Sequence, residues 1–204
     1  MPESSPLASS ERDALIVVDV QNDFLPGGAL GVPDGDAVIE PLNRAIAVFR
    51  AGDRPVFFSR DWHPAGHCSF EAQGGPWPPH CVADTEGARF AAELDVAADA
   101  GVVTKATRHD RDAYSALDGT GLAERLRAEG VHRVFVGGLA TDYCVKATVL
   151  DALGEGFEVI VLVDAIRAVN LNPDDGQRAT RAMVAAGART GSVSALGNAG
   201  AAPA

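Results

Sequence analysis

Short apolar runs alternate along this chain with stretches of helical periodicity, and few arrangements can bury such a pattern. Residues 14–18 (ALIVV) are a continuous apolar run ending at Asp19, which suits a strand covered on both faces. Over 36–50, Val38, Ile39, Leu42, Ile46 and Phe49 recur at helical spacing, with Gly52 just past the end. The alternation continues with strands at 55–59 (PVFFS), 101–104 (GVVT), 133–136 and 158–163, and a short last strand at 188–192. Helices are predicted at 121–128, 142–153 and 174–186, and Gly137 and Gly138 read as a turn ending the strand 133–136. Such alternation implies right-handed crossovers between parallel strands. The expected fold is α/β: three α/β/α layers around a mainly parallel sheet of about six strands.

The length of 204 residues suits one domain, expected over 13–196, with flexible tails at 1–12 and 197–204. Two stretches break the alternation. Residues 60–98 are rich in Pro and Gly and hold both tryptophans, and 105–120 are polar and irregular. Long loops in compact domains are usually functional. The net charge of −11 argues against nucleic acid and anionic membrane surfaces as partners. The longest apolar runs, such as 159–163, are far too short to span a bilayer. The polar stretch 1–12 predicts no secretory leader. Three cysteines (Cys68, Cys81, Cys144) are too few for a disulfide scaffold, so a cytoplasmic location is expected, for a monomer or small homo-oligomer.

In open α/β sheets, ligands bind beyond the carboxyl ends of the strands. Asp19 follows the first expected strand, Asp61, Trp62 and His63 the second, Lys105 the third, and Cys144 opens the helix after the fourth. At a helix start, exposed N–H groups and the macrodipole lower a thiol's pKa, and those N–H groups can receive an oxyanion. Taken singly, Cys144 reads as a buried structural thiol, Asp19 as a sheet-end carboxylate and Lys105 as a solvated lysine. Their convergence favours chemistry: Asp19 accepting the thiol proton, Lys105 holding carboxylate and thiolate together.

Three of the five histidines (His63, His67, His80) fall in the short stretch from Asp61 to His80. Asp-x-His in extended backbone places both side chains on one side, and His80 can fold back across the Pro-rich loop. Imidazole and carboxylate together suit one divalent transition metal, zinc, iron or manganese. Cys68 and Cys81 flank two of these histidines, but without Cys-x-x-Cys pairs they stay outside the site. Phe24, Trp77 and Tyr114 lie in loops near the strand ends and favour a flat, aromatic substrate.

The segments 14–28 (ALIVVDVQNDFLPGG), 61–67 (DWHPAGH), 77–82 (WPPHCV), Lys105 and 137–148 (GGLATDYCVKAT) resemble those of the nicotinamidase/pyrazinamidase group of isochorismatase-like cysteine hydrolases. The resemblance runs in the same order from Ala14 to about Gly187. The Asp, Lys and Cys set marks the wider superfamily, and the metal loop marks the narrower group. The resemblance implies a Rossmann-type, isochorismatase-like fold. It implies Cys144 as nucleophile, Asp19 as general base and later acid, and Lys105 as their electrostatic partner. Asp61, His63 and His80 would ligate the metal, with His67 a further ligand in some members. A cis peptide between Leu139 and Ala140 would turn the N–H groups of Ala140 and Cys144 toward the substrate carbonyl as an oxyanion hole. Phe24, Trp77 and Tyr114 would line the ring pocket. Tyr143 departs from the pattern, since many bacterial members carry His there.

The implied activity is hydrolysis of nicotinamide to nicotinate and ammonia through a Cys144 thioester, in NAD salvage, with pyrazinamide also accepted. The metal would orient the substrate through its ring nitrogen or serve the hydrolytic step. Three alternatives stand beside this: a Cys-dependent amidohydrolase of carbamoyl or ureido compounds, a metal-hydroxide hydrolase with a structural Cys144, and a non-catalytic member.

Overall fold

The computed structural model describes residues 10–196; the outer parts of the expected tails, 1–9 and 197–204, lie outside the described residues. Six strands run β1 (Asp13–Val18), β2 (Val56–Asp61), β3 (Gly101–Lys105), β4 (Arg133–Leu139), β5 (Glu158–Arg167) and β6 (Arg189–Gly191). Four helices cover them: α1 (Ile39–Ala51), α2 (Leu122–Ala128), α3 (Lys146–Gly154) and α4 (Asp175–Ala185). The strands form one sheet in the order β3-β2-β1-β4-β5-β6, every pair parallel, as expected from the alternation.

Period-two alternation along β1 divides the core between the two faces. Leu15 and Val17 pack with Leu42, Ile46 and Phe49 of α1, while Ala14, Ile16 and Val18 pack with Leu126 of α2, Val149 of α3 and Met183 of α4. Each large apolar side chain buried this way contributes about 1.5–3 kcal/mol. Pro41 sits in the first turn of α1, where its missing N–H has no helical partner to lose. The helix expected from residue 36 opens with a 3-10 turn, Gly35–Val38, so α1 proper begins at Ile39.

Several boundaries differ from the sequence reading, most of them beside candidate site residues. Gly137 and Gly138 are strand residues of β4 rather than a turn. Gly138 has φ +122°, and a Cβ there would lie 2.1 Å from the Val18 carbonyl oxygen, so only glycine lets β4 approach β1 so closely. Asp61 and Lys105 are the last residues of β2 and β3, paired in register, instead of lying beyond strands that end at 59 and 104. The helix expected over 142–153 divides into a π-helical turn, Thr141–Val145, followed by α3. The strand expected to stop at 163 continues to Arg167, because the Asp164 carboxylate is satisfied by the Val193 N–H at 3.0 Å.

The strand order reverses between β1 and β4, and a crevice opens at their carboxyl ends, where open α/β sheets bind ligands. The loop between β2 and β3 stays irregular apart from one 3-10 turn (Glu71–Gln73), and short bridges such as His63 with Val82 and Phe70 with Trp77 fasten it. Among the described residues, no helix is long and apolar enough to cross a membrane.

Candidate active site

Lys105 closes β3 with its side chain fully buried, and everything else in the cluster is arranged around its ammonium. Nζ lies 2.9 Å from Asp19 Oδ2, 2.5 Å from Asp61 Oδ1, 3.5 Å from Cys144 Sγ and 3.2 Å from the Ala113 carbonyl oxygen. Asp19 is held beyond β1 with φ +49°, a left-handed conformation that Asp tolerates better than most residues. Its Oδ1 accepts the Ser59 hydroxyl at 2.6 Å. Its Oδ2 faces the ammonium but accepts no well-aligned hydrogen bond, which leaves it open toward the thiol. Oxygens of Asp19 and Asp61 and the Cys144 sulfur gather within 4.8 Å, a grouping that could otherwise hold a cation. Here the ammonium already supplies the positive charge.

Burial sets the protonation pattern of this cluster. It raises Asp19 above its ordinary 3.8, although Lys105 pulls the other way. For Lys105, burial alone would lower the pKa, but Asp19 and Asp61 outweigh it and keep the ammonium charged. Burial also pushes the Cys144 thiol well above its ordinary value, reinforced by the Asp19 and Asp61 carboxylates and opposed by Lys105. This corrects the expectation of a depressed thiol pKa. Cys144 lies in a π-helical turn inside the protein, so desolvation outweighs any helix-terminal field and favours the protonated thiol.

The Leu139–Ala140 peptide is cis, as the resemblance implied. Ala140, Cys144, Phe24, Trp77 and Tyr114 all line one cavity, together with Tyr143. The Trp77 indole N–H donates to the Tyr114 hydroxyl at 3.1 Å, and the Trp77 and Tyr143 rings meet edge-on at 5.0 Å. Burial pushes the Tyr114 phenol up to about 12, so it stays protonated.

Asp61, His63 and His80 present ligand atoms within 4.8 Å of one another on the other side of Lys105. His63 Nε2 is 3.8 Å from Asp61 Oδ2, and neither ring nitrogen of this buried histidine has a hydrogen-bond partner. An orphaned buried polar group costs about 1–3 kcal/mol, which a metal would offset. Burial and the neighbouring His80 lower the His63 pKa to about 3, so the ring is neutral and able to ligate. His80 Nδ1 lies 2.8 Å from the Pro78 carbonyl oxygen, which fixes the tautomer that leaves Nε2 as a donor of electrons. The residues therefore fit a divalent transition ion. His67 stacks on His63 at 4.3 Å between ring centroids, but its nitrogens already pair with Ser69 Oγ at 2.7 Å and the Arg111 carbonyl oxygen at 3.1 Å. It groups with His63 and Asp112 rather than with Asp61 and His80. Cys68 and Cys81 belong to neither group.

Sequence reasoning passed over four polar residues that shape this site. Ser59 ends the apolar run 55–59 as its one polar member, a visible signal. Gln21 and Asp23 sit two and four residues beyond Asp19. Asp142 is buried, and its carboxylate accepts the N–H groups of Val169 at 3.0 Å and Asn170 at 2.9 Å, fastening a loop whose Val169 lines the cavity.

The chain is similar to known proteins over nearly its whole length. The isochorismatase domain matches residues 13–195. The nicotinamidase of Escherichia coli (strain K12) is 42% identical over 196 residues, covering 86% of this chain and 92% of that protein. The pyrazinamidase of Pyrococcus horikoshii, solved in complex with zinc, has a TM-score of 0.85 at 48% identity, over 89% of this chain and 99% of that one. PnC1 from L. infantum, solved in complex with nicotinate, has a TM-score of 0.85 at 38% identity, over 93% and 97%. With its parallel sheet, its strand-end Asp, Lys and Cys and its nearly full-length likeness to these proteins, the chain belongs to the isochorismatase family.

Proposed function

We infer that this chain is a nicotinamidase, an amidohydrolase converting nicotinamide and water to nicotinate and ammonia. The observation that carries the reading is the buried Lys105 ammonium, which joins Asp19, Asp61 and Cys144 at the base of an aromatic-walled cavity. The zinc in the Pyrococcus horikoshii pyrazinamidase and the nicotinate in L. infantum PnC1 support it, as does the Escherichia coli nicotinamidase.

The pyridine ring enters among Phe24, Trp77 and Tyr114 with its carboxamide toward Cys144. The thiol gives its proton to Asp19 as Sγ attacks the carboxamide carbon, and the N–H groups of Ala140 and Cys144 receive the developing oxyanion. Asp19 passes that proton to the leaving nitrogen; the C–N bond breaks, ammonia departs and a thioester remains on Cys144. Water then loses a proton to Asp19 and attacks the thioester. The C–S bond breaks, the sulfur regains its proton from Asp19, and the product leaves as nicotinic acid, which gives its carboxyl proton to solvent to become nicotinate. Lys105 stays charged throughout and offsets negative charge as it shifts between oxygen and sulfur.

Asp61, His63 and His80 would hold a zinc, iron or manganese ion, which when bound supplies a Lewis-acidic position for the substrate's ring nitrogen. His67 would join them only by releasing Ser69 or Arg111. Pyrazinamide carries the same carboxamide and a ring nitrogen in the same relation, so it should also be hydrolysed. One hydrolase domain over 13–196, acting in NAD salvage in a reducing cytoplasm, accords with the three free cysteines.

The deciding experiment incubates purified protein with nicotinamide and measures released ammonia before chelation, after chelation and after return of Zn²⁺, Fe²⁺ or Mn²⁺. Ammonia release that is lost on chelation and restored by one of these ions is expected. No release from metal-loaded protein, with rapid hydrolysis of a ureido compound, would overturn the reading.

A further inference from the structure

Beyond β1 the chain sends alternate side chains to three separate parts of the site. Asp19 reaches Lys105, as described. Gln21, fully buried, spends its whole amide on backbone. Its Oε1 accepts the Asp61 N–H at 2.8 Å, and its Nε2 donates to the Asp61 carbonyl oxygen at 2.8 Å and to the Ala88 carbonyl oxygen at 2.8 Å. Asp23 Oδ2 accepts the Cys81 N–H at 2.7 Å, the peptide that follows His80. Gly87 packs against that carboxylate so closely that a Cβ would lie 2.1 Å from Oδ2.

These contacts continue the sheet by other means. The β1–β2 ladder ends at Val18 opposite Ser59. Two residues further along β2, the Gln21 side chain takes the place of a strand, since a carboxamide alone offers both the donor and the acceptor that one residue's C=O and N–H require. Asp23 does the corresponding job for the second arm. The two arms are then tied to each other, because the His63 N–H donates to the Cys81 carbonyl oxygen at 2.9 Å and the Ala83 N–H to the His63 carbonyl oxygen at 2.8 Å. The long loop that carries His63 and His80 has little regular structure of its own, and these bonds tie both histidines to Asp61 at the end of β2.

We propose that Gln21 and Asp23 are positioning residues for the divalent-metal site, Gln21 by clamping both backbone poles of Asp61 and Asp23 by anchoring the peptide after His80. This rests on the reading of Asp61, His63 and His80 as metal ligands. It implies that one short segment, 19–23, aligns the proton-transferring carboxylate and the metal ligands together. Outer partners of metal ligands commonly change affinity by 10–100-fold when removed.

The test strips metal from the full-length protein and titrates it with Zn²⁺ alone against a chromophoric chelator. Gln21→Met keeps the side chain's size but loses all three hydrogen bonds, Asp23→Ala removes the carboxylate, and Asp23→Asn keeps an acceptor. Circular dichroism and a thermal melt of each metal-free protein establish that it is folded. Affinity for Zn²⁺ should fall about 10–100-fold in Gln21→Met and Asp23→Ala and stay within a few-fold of wild type in Asp23→Asn. Melting temperatures that drop while Zn²⁺ affinity is unchanged would overturn the proposal and leave both residues a merely structural part. If Gln21→Met fails to fold, the Asp23→Ala and Asp23→Asn pair decides alone. A wild-type protein that binds no Zn²⁺, Fe²⁺ or Mn²⁺ would overturn the metal reading itself, a result distinct from equal binding by wild type and variants.

Discussion

The Lys105 ammonium and the Asp61 carboxylate lie 2.5 Å apart, and that contact joins the Asp19 and Cys144 cluster to the group of Asp61, His63 and His80. Asp61 turns one oxygen to Lys105 and the other toward His63, at 3.8 Å from Nε2. One carboxylate thus serves two partners, the Lys105 ammonium and the neutral His63 ring, so Asp61 is shared by the two halves of the site.

Lys105→Met should therefore damage both stability and turnover. It leaves Asp19 and Asp61 buried without a counter-charge, and breaking a buried pair on one side costs about 3–5 kcal/mol. Denaturant unfolding of the metal-free protein should show a loss of that order, with ammonia release abolished. An unchanged unfolding midpoint would mean that the cluster is not desolvated as described.

Cys144→Ala should lower turnover by a factor on the order of 10³ or more while leaving metal content intact. Cys144→Ser should fare little better, because a hydroxyl gives up its proton less readily than a thiol to the same carboxylate. Acid-quenched mass spectrometry of the wild-type protein during turnover should locate the acyl group on Cys144 and on neither Cys68 nor Cys81. Retention of a tenth of wild-type activity by Cys144→Ala would exclude the thioester route.

Asp19 must be ionised to accept the thiol proton, and burial raises its pKa above the ordinary 3.8. The rate of the free enzyme should therefore fall as pH drops through that raised value, giving an acidic limb in kcat/KM above the usual carboxylate range. Asp19→Asn should be nearly inactive at every pH, since an amide cannot carry the proton. A pH–rate profile still flat at 3.8 would contradict the assignment.

Asp142→Ala should act on binding more than on bond breaking. Its carboxylate holds the N–H groups of Val169 and Asn170, and a hydrogen bond to a charged group contributes about 1.5–3 kcal/mol. Releasing that loop frees the Val169 wall of the cavity, so KM for nicotinamide should rise about 10-fold or more with a smaller change in kcat. Steady-state kinetics checks this, and a fall confined to kcat would point instead to displacement of Cys144 two residues away.

The layered α/β/α architecture was legible because burial imposes local periods. The apolar run 14–18 and the spacing of Leu42, Ile46 and Phe49 each commit a segment to a strand or helix without reference to the rest of the chain. The candidate residues were legible for a related reason: charged or nucleophilic side chains at the ends of apolar strands must converge on one edge of a parallel sheet. Boundaries were less visible wherever a polar residue sits inside an element, as Asp61, Lys105 and Asp164 do, because its partner lies elsewhere in the chain.

By itself the sequence determined which elements form, which edge of the sheet carries Asp19, Lys105 and Cys144, and which stretch of chain carries Asp61, His63 and His80. Only the tertiary structure decided how those groups share charge. Ser59 and Asp19 are separated by 40 residues, Asp23 and Cys81 by 58, and no local pattern records such pairings. The thiol's raised pKa has the same origin, since desolvation depends on everything packed around Cys144 rather than on its neighbours in sequence.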